Sequence, residues 1–495
     1  MTIFRFTRRG LVVNALRMLW IVVTLWYESG IFSYHAKRCL WPDSSLKVYA
    51  DSASPAHLLV VADPQILDHR SYPGRPALLT YISQILVDLN LRKSWRAALN
   101  SRPDAIFFLG DMMDNGRMPA SDKEYEQYYH RFKKIFKDKN NIPTYFIPGN
   151  HDTGLGTPSM FSPAAHSRYE SHFGPLNNVV NMANHSIILI DAPGLVEEDH
   201  QRHGSGRSYA EWKPASGGTI DFVKRFGQEH KSGPTILLSH IPLSRPEGSD
   251  CGPLREKGTI HRGVGLGYQN TLGKDSSLFL LDAIRPSLIL SGDDHDYCVF
   301  THKFERGGTN MQIREVTVKS LSMAMGIRRP GYQLLSLNPS PGSDASYADT
   351  PCLMPDQLGI YLSVYIPLLI LSLLVLLLHS ALRSRTWLPN GMSHRKNRSQ
   401  SQPKLSSLVQ KTLDGDADGK MPLPVSSSSS EVPPYHRGLS WTFTVDGRRR
   451  RFSCCVLSIR SSPARFASDF LRDVRDVAFY PISIILLVSF WTFMD

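Results

Sequence analysis

Cysteine is scarce in this chain. Six thiols serve 495 residues, and no two stand in the C-x-x-C spacing of a structural zinc site. That excludes a zinc-ribbon or finger scaffold. No internal repeat runs through the chain, which excludes a solenoid or a propeller. A uniform excess of one charge is missing too. The formal balance is +12, but the basic surplus gathers in the C-terminal third, as in Arg448-Arg449-Arg450-Arg451. It sits there beside apolar segments long enough to enter a bilayer. Such a distribution argues against a nucleic-acid surface and for basic flanks of membrane spans.

What is present begins with those spans. Leu358 to Leu378 carries no charge, and roughly twenty apolar residues cross a ~30 Å hydrocarbon core. Pro367 lies inside it, which membrane helices tolerate. Ala478 to Met494 is a second, shorter candidate. Leu11 to Tyr27 is a third, interrupted by Arg17 and closed by Glu28. Tyr34-His35-Ala36 makes a poor cleavage site, so this span reads as an uncleaved signal anchor. Arg5, Arg8 and Arg9 place the N-terminus in the cytosol. Arg383, Arg385, Arg395 and Lys396 do the same for the chain after the second span.

The expected division is therefore 1–29 as tail and anchor, 30–355 as a lumenal domain, 358–379 as a span, 380–477 as a cytosolic segment, and 478–495 as a last span. Within 380–477, the Ser/Pro/Lys-rich stretch from Leu388 to about Arg437 reads as disordered. Trp441 to Leu457 carries a hairpin signal around Asp446-Gly447. On the lumenal side, Asn184-His185-Ser186 is a glycosylation acceptor. Cys39, Cys251, Cys298 and Cys352 share that side and allow three pairings. Cys39 with Cys352 and Cys251 with Cys298 is one of them; free buried thiols are the other reading.

The lumenal core, 57–337, alternates short β-rich runs with helical spacing. His57–Ala62, Ala105–Leu109, Thr144–Ile147, Ser186–Ile190, Thr235–Leu238 and Ser287–Leu290 read as buried strands. Ala77–Leu99, Glu124–Phe136 and Ile220–Glu229 read as helices. Gln312–Val318 and Tyr332–Leu337 read as a terminal antiparallel pair. This pattern predicts an α/β layered domain. Thr153–Pro175 and Pro242–Gly267 read as long loops that shape a site.

Motifs follow the strands directly: Asp63-Pro64-Gln65, Gly110-Asp111-Met112-Met113-Asp114, Gly149-Asn150-His151-Asp152, Ser239-His240 and Gly292-Asp293-Asp294-His295. Carboxylate, amide and imidazole groups at successive strand ends suit a pair of divalent cations, which supply a nucleophile and offset phosphoryl charge. Asp111 is the expected bridge. Asp63 and Asn150 are expected on opposite sides of it, with His240, Asp293 and His295 completing the set. His151 suits a general acid better than a ligand. Asp152 is expected to orient its ring, and Asp114 to hold a ligand from behind.

These pieces resemble the calcineurin-like metallophosphoesterase superfamily, whose pattern is D-x-H, G-D-x-x-D, G-N-H-D/E, H and G-H-x-H. Gln65 stands where the first motif has His, and Asp293 where the last has its first His. The resemblance implies a four-layer α-β-β-α sandwich, here with transmembrane helices. It implies Asp63, Gln65, Asp111 and His295 around one metal, and Asp111, Asn150, His240 and Asp293 around the other. Oxygen donors in place of imidazole favour Mn²⁺ or Mg²⁺ over Zn²⁺.

Ala62-Asp63-Pro64-Gln65, Gly292-Asp293-Asp294-His295-Asp296-Tyr297-Cys298 and Gly267-Tyr268-Gln269-Asn270 are similar to the fungal branch of membrane-anchored phosphoesterases that remodel glycosylphosphatidylinositol (GPI) anchors. That branch implies a manganese phosphodiesterase acting on an ethanolamine phosphate of the GPI glycan in the endoplasmic reticulum. Its partners would be that glycan and membrane lipids. A KDEL-like tail is absent, which leaves Golgi residence open. Two other readings are a lumenal phosphatase or phosphodiesterase on another substrate, and a non-catalytic cargo adaptor with a degenerate metal site.

Overall fold

The computed structural model describes residues 8–46, 54–119, 121–156, 161–229, 233–306, 308–340, 346–386, 439–445, 448–454 and 463–494. Strands in chain order are β1 (Ala56–Val61), β2 (Ala105–Phe108), β3 (Thr144–Phe146), β4 (Asn178–Met182), β5 (His185–Ile190), β6 (Thr235–Ser239), β7 (Val264–Gly265), β8 (Tyr268–Gln269), β9 (Leu288–Ser291), β10 (Cys298–Arg306), β11 (Thr309–Thr317), β12 (Gly331–Leu337), β13 (Tyr347–Leu353), β14 (Leu439–Val445) and β15 (Arg448–Cys454). Helices are α1 (Arg8–Leu25), α2 (Ile31–Arg38), α3 (Ala77–Leu99), α4 (Asp122–Ile135), α5 (Asn150–Thr153), α6 (Ala165–Phe173), α7 (Ala192–Gly204), α8 (Thr219–Gln228), α9 (Lys274–Ile284), α10 (Gln357–Ile360), α11 (Ile366–Thr386) and α12 (Pro463–Met494).

Two sheets make the core. One has the order β13-β12-β1-β2-β3, the other β10-β11-β9-β6-β5-β4. Side chains alternate along each strand, so each sheet buries both faces and its strands read as unbroken apolar runs. In β1, Leu58 and Val60 pack with Ile187, Leu238 and Leu290 between the sheets. Leu59 and Val61 pack the other way, against Val87, Leu91 and Trp95 of α3 and Phe132 of α4. On the far side, Ile188, Leu237 and Ile289 meet Leu195 of α7, Val223 of α8 and Leu280 of α9. The result is the four-layer α-β-β-α sandwich.

One expectation is overturned. Gln312–Val318 and Tyr332–Leu337 do not pair with each other. β11 runs antiparallel to β10 and parallel to β9, while β12 lies antiparallel to both β1 and β13. Each strand joins a different sheet, β11 beside the parallel strand β9 and β12 beside β1. The Thr153–Pro175 stretch also differs from a plain loop, since α6 fills much of it.

Disulfides join Cys39 to Cys352 and Cys251 to Cys298. The first ties the chain after α2 to β13. The second ties the 242–267 segment to the start of β10, just beyond His295.

Among the described residues, three helices are long and apolar enough to cross a membrane, over Gly10–Ser45, Gln357–Arg383 and Phe466–Met494, with mean hydropathies of 1.6, 2.6 and 2.0. A π-helical turn, Tyr361–Tyr365, leads into Pro367; it accommodates a residue that cannot donate to the helical ladder. The last helix starts at Pro463, well before Ala478, so the end of the segment expected to be cytosolic is continuous with the last helix. By contact, Asn14–Leu371 with Val477–Asp495 form one unit, and Met1–Val13 with Ser372–Asp476 another. The second unit holds β14 and β15, paired antiparallel from Leu439↔Cys454 to Val445↔Arg448. The expected turn at Asp446-Gly447 and the stretch from Leu388 to Arg437 lie outside the described residues.

Candidate metal centre

The motifs sit where β1, β2, β3, β6 and β9 end, at one edge of the paired sheets. Turning from each strand into the centre needs unusual backbone. Asp63, Gln65, Asp111, Asp293 and His295 have φ of 47°, 35°, 55°, 63° and 67°. Such left-handed non-glycine residues cost about 1–3 kcal/mol each and gather at functional sites. Gly110, at φ 93°, lies so close to its neighbours that a Cβ there would stand 2.4 Å from His240 Nδ1 and 2.9 Å from Gly149 Cα. Only glycine fits.

Asp63, Asp111 and His240 are buried and present ligand atoms within 4.8 Å of one another. His240 is the hub. Its Nδ1 lies 2.6 Å from the Leu109 carbonyl, which fixes the tautomer and leaves Nε2 facing the centre. Nε2 is 3.0 Å from Asn150 Oδ1, 3.4 Å from Asp111 Oδ1 and 3.5 Å from Asp293 Oδ1. Asp63 Oδ1 accepts from the Asp293 amide at 3.1 Å. Gln65 donates through Nε2 to Asp111 Oδ2 at 2.6 Å.

The electrostatics describe a place short of positive charge. Burial, opposed by His240 but reinforced by Asp111 and Asp293, holds the Asp63 carboxyl well above its usual range. His240 is held well above the ordinary imidazole value, because Asp111, Asp293 and Asp63 outweigh its burial. Burial pushes His295 down to about 4, so that ring is neutral near pH 7 and able to ligate. Asp63 Oδ2 is buried and has no hydrogen-bond partner. An orphaned carboxylate oxygen in this setting fits a cation. The donors suit divalent metal: carboxylates from Asp63, Asp111 and Asp293, amide oxygens from Gln65 and Asn150, and imidazoles from His240 and His295.

Around these donors lies a supporting shell, and here the sequence reading needs correcting. Asp152 does not orient His151. It accepts backbone N–H groups from Asp111 and Gly149 through Oδ2 at 2.7 and 3.0 Å, and from Met112 and Met113 through Oδ1 at 3.1 and 3.4 Å. The His151 ring is met instead by Asp114: Nδ1 bonds its carbonyl oxygen and lies 3.5 Å from its carboxylate. His151 is part-exposed at the rim, and its own amide donates to Asp111 Oδ1 at 2.9 Å.

Arg117 was not anticipated. It donates through Nη1 to the Asn150 carbonyl at 2.6 Å and to the Gly267 carbonyl at 3.0 Å. Asn150 Nδ2 donates to that same Gly267 oxygen at 2.8 Å, which points the Asn150 amide oxygen at His240. The β7–β8 hairpin therefore reaches the centre through one backbone carbonyl. The only signal in the sequence was a lone arginine after Gly116.

A family model for calcineurin-like phosphoesterases matches residues 56–297. Cell division control protein 1 of Saccharomyces cerevisiae is 35% identical over 358 residues, covering 70% of either chain. The chain belongs to the calcineurin-like phosphoesterase family. Within it, the metallophosphoesterase 1 homolog of Drosophila melanogaster is 26% identical over 376 residues, 73% of this chain and 91% of that one. The homolog of Caenorhabditis elegans is 27% identical over 311 residues, 62% and 77% respectively. Members of this family are metal-dependent phosphoesterases, and the buried Asp63, Asp111 and His240 are placed to hold such a metal.

Proposed function

We propose that this phosphoesterase is a manganese-dependent phosphodiesterase that removes ethanolamine phosphate from a mannose of the GPI-anchor glycan. It would do so in the lumen of the endoplasmic reticulum, aiding export of anchored proteins. The observation that carries the reading is a buried multi-carboxylate centre with His151 at its rim, in a chain whose catalytic domain lies between apolar helices. Tethering at both ends keeps the centre beside a membrane, where a lipid-anchored glycan is presented at high effective concentration.

Asp63, Gln65, Asp111 and His295 would hold one cation, and Asp111, Asn150, His240 and Asp293 the other. When bound, the two supply a nucleophile from water at neutral pH and offset charge on the phosphoryl oxygens. The residues do the rest. Asp114 occupies His151 Nδ1, so Nε2 is the atom left to hand a proton to the departing alkoxide. Arg117 and Gly267 fix the Asn150 amide. Oxygen donors at Gln65 and Asp293 favour Mn²⁺.

Purified full-length chain with Mn²⁺ should hydrolyse bis-(p-nitrophenyl) phosphate, and Asp111→Ala should not; equal rates would remove the catalytic reading. Anchored proteins from cells lacking the chain should retain extra ethanolamine phosphate; unchanged glycans would remove the substrate. Lumenal orientation predicts glycosylation at Asn184, exposed in the β4–β5 turn. A glycosidase-sensitive mass shift lost in Asn184→Gln would support it.

A further inference from the structure

α3 carries two different halves. From Ala77 to Val87 it has no charged residue, and it exposes Leu78, Leu79, Tyr81, Ile82 and Leu86 at 69, 52, 60, 43 and 39%. Soluble helices do not usually leave so continuous an apolar stripe to water. The second half of the helix shows what the stripe faces. Lys93 pairs with Glu28 at 2.5 Å, directly after α1. Tyr365, just before α11, donates to the same Glu28 carboxylate at 2.9 Å. Arg96 donates to the Thr492 carbonyl at 2.9 Å, and Arg92 lies 5.1 Å from the Phe493 ring centroid, at the end of α12. One ends of all three candidate spans therefore gather on the second half of α3.

At 100° per residue, Leu78, Leu79, Ile82 and Leu86 fall within about 60° of Lys93 around the helix axis. They share the face that meets the spans, and from Lys93 to Leu79 the helix runs about 21 Å. A bilayer that takes in the three spans has its surface at Glu28, Tyr365 and Thr492. We infer that the first half of α3 lies in the headgroup region of that bilayer, with its apolar stripe among lipid. Tyr81 and Arg75 suit the same level, an aromatic and a cation at the water boundary. Because α3 follows β1, its first half is also the half nearer Asp63 and Gln65. The helix thereby lays the catalytic domain on its side, with the metal-centre edge near the lipid surface. The inference does not depend on which phosphodiester is cleaved.

The test uses the full-length chain with Cys454 and Cys455 replaced by Ser, in phosphatidylcholine nanodiscs. A nitrobenzoxadiazole label on Ile82→Cys should lose about twofold or more of its emission when a doxyl lipid is included, since such helices sit about 5–10 Å into the headgroup boundary. The same label on Glu211→Cys, an exposed position beyond α7, should not respond. A label at Ile82 that ignores the doxyl lipid overturns the inference. Iodide quenching would then show water on the stripe, and energy transfer between differently labelled copies would show a second chain on it. Unchanged thermal unfolding confirms each variant's fold; should Ile82→Cys unfold early, the more exposed Leu78→Cys carries the same test.

Discussion

The Asp111 amide donates to Asp152 Oδ2 at 2.7 Å, so the expected bridging ligand is held by the residue beside the expected acid. Asp152 gathers the amides of Asp111, Met112, Met113 and Gly149 on one carboxylate. Two strand ends are thereby locked together. Asp152→Asn keeps the size but turns one acceptor into a donor aimed at N–H groups. We expect metal affinity to fall about 10–100-fold, the usual cost of losing a supporting partner. Metal titration of the purified variant measures it; wild-type affinity would show that the clamp is dispensable.

His151 should behave differently. Its ring is anchored by Asp114 and stands at the rim, so His151→Ala removes a proton donor and leaves the buried donors in place. Turnover should fall about 10²–10⁴-fold, the range for a lost general acid, with bound metal unchanged by elemental analysis. Loss of metal along with turnover would make His151 a ligand instead.

Arg117 acts through Asn150. With Arg117→Ala, the Gly267 carbonyl loses one of its two donors and the Asn150 carbonyl keeps only the Gly154 amide. The expected result is about 10–100-fold weaker binding of the metal that Asn150 would hold, partly restored in Arg117→Lys. Asn150→Ala should weaken the same metal further. A metal stoichiometry equal to wild type in both would disconnect this hairpin from the centre.

Much of this was legible in the sequence for a physical reason. β1, β2, β6 and β9 are buried on both faces, so they appear as bounded apolar runs, and the expected ligands follow them within one to four positions. α3 was readable end to end from Ala77 to Leu99. What escaped depended on direction and distance. Neighbours on a helix point about 100° apart, so once Asn150–Thr153 is helical, Asp152 cannot follow the ring of His151. Asp114 serves His151 through a backbone carbonyl, a group every residue has. α7, Ala192–Gly204, was not anticipated; it opens with Pro193 and Gly194, and proline suits a first turn. That the two late strands join different sheets was not legible, because the β11–β9 and β12–β1 pairings span separations that leave no local trace.

A second buried ion group makes the last prediction. Glu315 lies 2.9 Å from Arg245 and 2.6 Å from His302 Nε2, and accepts from Ser291 Oγ at 2.7 Å and the Leu243 amide at 3.1 Å. Burial opposes its charge, but Arg245 first, then His302 and Ser291, outweigh it and depress the carboxyl from the ordinary 4.5 to about 2. A depressed carboxyl adds stability that is complete above its unfolded value and vanishes as pH falls through the folded one. The contribution, about 3 kcal/mol, should therefore be present at neutral pH and disappear between roughly pH 4.5 and 2. Glu315→Gln strands the Arg245 charge, a loss of about 3–5 kcal/mol at pH 7. Its unfolding curve should also be flatter across that acid window than the parent's. Since Leu243 and Ser291 flank the ends of β6 and β9, the carboxylate also braces the turns carrying His240 and Asp293. Equal acid slopes for parent and variant in urea unfolding would show that Glu315 does not carry this charge in the fold.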